Sequence, residues 1–128
     1  MRIRILLVDD DPQVRAVLAL SLEQSGYTVL TADNGREARA MLSANPVDLL
    51  ITDLFMPEQD GIETILHIRK QHPRLPILAI SGGGHRIEGG DCLHIAHVIG
   101  ANRVLPKPFT METLLREIAV LVGAGGSG

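Results

Sequence analysis

Leu49-Leu50-Ile51-Thr52-Asp53-Leu54-Phe55-Met56-Pro57-Glu58-Gln59-Asp60-Gly61 is an apolar run that stops at a carboxylate, followed by the turn formers Pro57, Asp60 and Gly61. The chain therefore leaves a buried strand, expected over Val47 to Thr52, and turns at once. Consecutive apolar residues suit a strand covered on both faces, as in a parallel sheet. Asp53 then stands at the strand's carboxyl end, the edge along which open α/β sheets bind ligands. A lone acid after a strand also serves as a turn cap, so Asp53 takes its meaning from whatever else reaches that edge.

The same grammar recurs outward from this stretch. Ile3 to Val8 is a short apolar run closed by Asp9-Asp10-Asp11, and Asp11-Pro12 supplies an N-cap and first helical residue. Val14, Val17, Leu18 and Leu22 then recur at helical spacing until Gly26. Tyr27 to Ala32 is a second strand, and Asn34-Gly35 opens a helix with Ala38, Met41 and Leu42 inward, closed by Asn45-Pro46. Beyond Asp53, Ile62, Ile65, Leu66 and Arg69 mark a third helix ending at His72-Pro73. Ile77 to Ile80 is a fourth strand running into Ser81 and the glycine-rich stretch 82–90. A short helix from about Asp91 to Ile99, a brief strand from Arg103 to Leu105, and a last helix capped by Thr110 complete the chain. That helix carries its apolar stripe on Met111, Leu114, Leu115, Ile118, Leu121 and Val122.

Five strand-helix units in alternation predict a doubly wound α/β domain, a five-stranded parallel sheet with helices on both faces. The domain is expected over residues 1–122, with 123–128 a flexible glycine-rich tail. With 45% hydrophobic residues the chain holds enough apolar material for a core and is not of disordered type. A net charge of −3 with scattered Lys and Arg gives no footprint for nucleic acid, and 2% aromatic residues provide no stacking platform. One cysteine, Cys92, excludes an internal disulfide. The amino-terminal apolar run is too short for a signal peptide or membrane span, so a soluble, cytoplasmic protein is expected.

Right-handed crossovers put every strand's carboxyl end on one edge. Asp9 and Asp10 arrive there after strand one, Asp53 after strand three, Ser81 after strand four and Lys107 after strand five. Carboxylates a few ångström apart repel by about 4 kcal/mol per pair at an effective dielectric near 20, so a cation is needed. Oxygen ligands without His or Cys favour Mg²⁺, with Mn²⁺ an alternative. A hydroxyl at Ser81 and an ammonium at Lys107 suit phosphoryl oxygens, and a carboxylate beside a metal can be a nucleophile. The residues read as a Mg²⁺-dependent, phosphoryl-accepting aspartate.

This constellation resembles the receiver domain of two-component response regulators, in its stand-alone single-domain form. The shared features are an acidic pair after strand one, Asp-Leu-x-Met-Pro-x-x-Asp-Gly around the acceptor, Ser after strand four and Lys-Pro after strand five, over about Arg2 to Val122. The resemblance implies a flavodoxin-like (βα)5 fold with strand order 2-1-3-4-5. It implies phosphorylation of Asp53 by a histidine kinase or phosphotransfer protein, docked near the first helix. Asp10 would bind Mg²⁺ directly, Asp9 mainly through water, and the Phe55 backbone carbonyl would complete the protein ligands. Lys107 would pair with the phosphoryl group, Ser81 would swing toward it, and the bond before Pro108 would be cis. Output would pass to a downstream protein over the fourth helix, fifth strand and last helix, from a monomer or a phosphorylation-dependent dimer, with no direct nucleic-acid or membrane contact. On this reading the chain is no enzyme beyond self-phosphorylation and slow self-dephosphorylation.

Val104 occupies the strand-five position where the family commonly has an aromatic residue, so a switch based on ring rotation cannot operate. The signal would pass by backbone and fourth-helix movement, or coupling would be weak. Phe55 and Gly83, at positions that tune phosphoryl lifetime, offer no group to orient water, and Gly82 leaves the site open to small donors. His94 and His97, with Cys92 or His85, have the spacing of a transition-metal site but read more simply as surface histidines. A haloacid-dehalogenase-type phosphohydrolase is one alternative, since Asp9-Asp10-Asp11 contains Asp-x-Asp, but Gln13 is wrong for that motif and Asp53 is left without a role. A receiver-like interaction module that is never phosphorylated is the other.

Overall fold

The structure, a computed structural model, describes residues 2–54, 61–81 and 100–126. The elements follow in the order β1 (Arg4–Val8), α1 (Pro12–Gln24), β2 (Thr28–Ala32), α2 (Gly35–Ala44), β3 (Leu49–Asp53), α3 (Gly61–Gln71), β4 (Ile77–Ser81), β5 (Arg103–Pro106) and α4 (Met111–Gly126). The five strands form one parallel sheet in the order β2-β1-β3-β4-β5. The expected glycine-rich stretch 82–90 and the helix from Asp91 to Ile99 lie outside the described residues.

Side chains alternate across a strand, so a continuous apolar run feeds both faces of the sheet. Leu6, Val8 and Leu50 pack with Ala38 and Leu42 of α2 and Ile65 and Ile68 of α3. Ile5, Leu7, Leu49 and Ile51 pack on the other face with Leu18 and Leu22 of α1 and Leu114 and Ile118 of α4. β3 is buried along its whole length, which fixes Asp53 at the end of the most protected strand.

Caps set the helix starts. Asp11 accepts the amides of Gln13 and Val14 at the head of α1, Asn34 that of Glu37 in α2, and Thr110 that of Thr113 in α4. Two expectations fail on α1 and α3. Val17 and Leu66 are 62% and 41% exposed, because Leu18 with Leu22, and Ile65 with Ile68, already fill the inward positions one residue away. The last helix also runs to Gly126, past the expected start of a flexible tail. Packing through Leu114, Ile118, Leu121 and Val122 carries it to residue 122, and the glycines beyond cost it roughly 1 kcal/mol each. No described helix is long and apolar enough to cross a membrane.

Candidate functional site

Four strand ends build the site. The register pairs Val8 with Thr52, Asp53 with Ile80 and Ser81 with Pro106, so β1, β3, β4 and β5 end side by side. The carboxylates of Asp9, Asp10 and Asp53 converge there, each offering an oxygen, with those atoms all within 4.8 Å of one another. Asp9 and Asp53 are buried and Asp10 is exposed. Lys107 Nζ lies 3.6 Å from Asp53 Oδ2, an ion pair longer than a hydrogen bond. Ser81 is buried beside it, and its carbonyl accepts the Lys107 amide at 2.7 Å. The Lys107–Pro108 bond is cis.

The electrostatics report a surplus of negative charge. Burial pushes the Asp53 carboxyl from its ordinary 3.8 up to about 7; the charge of Asp9 adds to this, Lys107 opposes it, and a hydrogen bond with Asp9 and the charge of Asp10 add further. One lysine does not neutralise three acids. All-oxygen donors at this spacing fit a hard divalent cation such as Mg²⁺, which takes few protein carboxylates and keeps water.

The loop between β1 and α1 is tied from several directions. Asp9 donates its amide to the Ala32 carbonyl at 3.2 Å, and Asp9 Oδ1 accepts the Asp11 amide at 2.9 Å. Arg15 Nη1 donates to the Asp9 carbonyl at 2.7 Å. Sequence reasoning does not single out Arg15, although its place one turn inside α1, facing back toward the acidic pair, is a usable signal.

Thus Asp9, Asp10, Asp53, Ser81 and Lys107 all come to one rim, as expected. Val104 is half-buried and packs against the core on the α2 and α3 face. Phe55, Gly82, Gly83, His85, Cys92, His94 and His97 lie outside the described residues.

Sequence and fold both match known proteins. The response regulator receiver domain matches residues 5–119. The chain is 39% identical over 125 residues to the response regulator MprA of Mycobacterium ulcerans, covering 95% of this chain and 51% of that protein. The chain thus spans about half the length of the curated relatives it matches. Among solved structures it resembles the chemotaxis response regulator CheY4 of Vibrio cholerae, with 31% identity, a TM-score of 0.84, and coverage of 94% of this chain and 99% of that one. A CheY-like receiver domain protein of Methanospirillum hungatei matches in fold, with 24% identity, a TM-score of 0.89 and full coverage of both chains. The chain belongs to the response regulator receiver domain family.

Proposed function

We propose that Asp53 is the phosphoryl acceptor of this receiver domain, served by a histidine kinase or phosphotransfer protein. The observation that carries the reading is the Lys107 to Asp53 ion pair of 3.6 Å beside an acidic pair whose oxygens lie within 4.8 Å of it. An Asp53 oxygen attacks phosphorus, the bond from phosphorus to the donor's imidazole nitrogen breaks, and the imidazole leaves with the electron pair. Lys107 favours ionised Asp53 and then pairs with the new phosphoryl oxygens. Asp9, Asp10 and Asp53 would hold Mg²⁺, which supplies positive charge against the phosphoryl oxygens. Ser81, buried next to Lys107, is suited to hydrogen-bond the same group.

The chain acts as an acceptor rather than a turnover catalyst. Phe55 and Gly83 bring no water-orienting side chain, which supports slow self-dephosphorylation. The exposed Val17 and Leu20 on α1, beside an apolar depression lined by Gln13, Val14, Val17 and Leu18, support docking of the phosphodonor protein next to the acid pair. The test is intact mass after incubation with acetyl phosphate and Mg²⁺. A gain of one phosphoryl group that disappears in Asp53→Asn and on chelation supports the reading. An unchanged mass, with no beryllofluoride binding to follow, favours the unphosphorylated module.

A further inference from the structure

We propose that Arg15 is a positioning residue for the cation site, aiming the Asp10 carboxylate through the Asp9–Asp10 peptide. The inference rests on the reading that Asp9, Asp10 and Asp53 hold Mg²⁺. Asp53 ends a strand buried from Leu49 onward, and Asp9 is buried with its own Oδ1 on the Asp11 amide. Both acids are therefore oriented by packing and hydrogen bonds. Asp10 is different: its side chain is exposed, and no hydrogen bond within the described residues holds it. Its direction follows from the backbone that carries it.

That backbone is pinned at one point. The Asp9 carbonyl belongs to the peptide plane that leads into Asp10, and Arg15 Nη1 grips it at 2.7 Å. A planar peptide moves as a unit, so holding its oxygen limits rotation at Asp10. Arg15 itself sits on α1, whose start is fixed by Asp11 accepting the Gln13 and Val14 amides, and its own amide bonds to the Asp11 carbonyl at 2.9 Å. The guanidinium is thus a strut between a rigid helix and the loop that presents the acids.

The strut and the charge of Arg15 predict opposite signs. A guanidinium near the site repels an arriving Mg²⁺, so if charge decided the matter, removing it would tighten binding. If positioning decides, removing it weakens binding, and loss of such an outer partner costs about 10- to 100-fold in metal affinity. The structure favours positioning, because Arg15 bonds to a carbonyl rather than to a carboxylate.

Calorimetric titration with Mg²⁺ of the wild type, Arg15→Met and Arg15→Lys, each also melted without metal, tests this. Expected are a Kd raised about 10-fold or more in Arg15→Met and largely recovered in Arg15→Lys, whose ammonium can still reach the carbonyl. Arg15→Gln takes the place of Arg15→Met if that variant fails to fold, and a raised Kd is expected there too. A folded Met or Gln variant with unchanged or tighter Mg²⁺ binding overturns the inference. Absence of Mg²⁺ binding by the wild type overturns the Mg²⁺ reading itself, and the inference with it.

Discussion

Lys107 Nζ and Asp53 Oδ2 face each other at 3.6 Å across the ends of β5 and β3, with β4 between them. Among the described residues, the ammonium is the one cation paired with the acidic cluster. Replacing it with alanine removes the influence that lowers the Asp53 pKa and leaves burial and the neighbouring acids unopposed. We expect Lys107→Ala to fold and to slow phosphorylation by acetyl phosphate at pH 7 by about 100- to 1,000-fold, the scale of losing one electrostatic contact to developing charge. Single-turnover mass spectrometry checks this, with Lys107→Arg retaining more of the rate.

The Asp53 proton links the site to stability. In the metal-free protein its carboxyl titrates near 7 folded and near 3.8 unfolded, so between those values the native state holds more protons than the unfolded chain. Stability is then greatest below pH 3.8 as far as this group is concerned, and falls as pH rises through about 7. Asp53→Asn is expected to stabilise the metal-free protein by about 1–4 kcal/mol at pH 8 and by far less at pH 4.5. Chemical denaturation at the two pH values in chelator checks it, and equal gains would contradict it.

Mg²⁺ should compete with that proton. Ligands must be ionised to bind, so added Mg²⁺ is expected to raise the melting temperature at pH 8, much less at pH 5, and least in Asp53→Asn. Melting curves over a Mg²⁺ series decide the matter.

What the sequence reveals and what it conceals divides along physical lines. The strands are legible because continuous apolar runs have few other uses, and Asp9, Asp10 and Asp53 because each run stops at an acid. Val17 and Leu66 mislead because helical spacing does not say how wide the buried stripe is. Arg69 is hidden for another reason: its guanidinium donates to the carbonyls of Gly100 and His72 and to Asn102 Oδ1, over separations of up to 33 residues. No local pattern announces such a contact. Gly100 belongs to it twice over: its φ is +94°, and a Cβ there would crowd Arg69 Cγ at 3.0 Å.

That clamp ties the end of α3 to the start of β5, where Asn102 Oδ1 also accepts the Ile77 amide. Arg69→Ala leaves the Gly100 carbonyl without its guanidinium partner and is expected to cost about 2–3 kcal/mol. Gly100→Ala is expected to cost at least 1 kcal/mol from its backbone angle alone. Urea denaturation of both variants checks these values.

The exposed apolar face of α1 separates protein donors from small ones. Val17→Glu places a charge on the 62% exposed side chain of α1, so transfer from a phosphorylated histidine protein should slow about 10-fold or more while phosphorylation by acetyl phosphate stays unchanged. Parallel time courses with the two donors test this.

The most direct measurement is the position of the phosphoryl group. Protein phosphorylated in Mg²⁺ is reduced with borohydride, which converts an aspartyl phosphate to homoserine, and the digest is mapped by mass spectrometry. Homoserine at 53, absent without phosphodonor, is the expected outcome. Homoserine at 9, with 53 unmodified, would contradict it and point instead to dehalogenase-type chemistry.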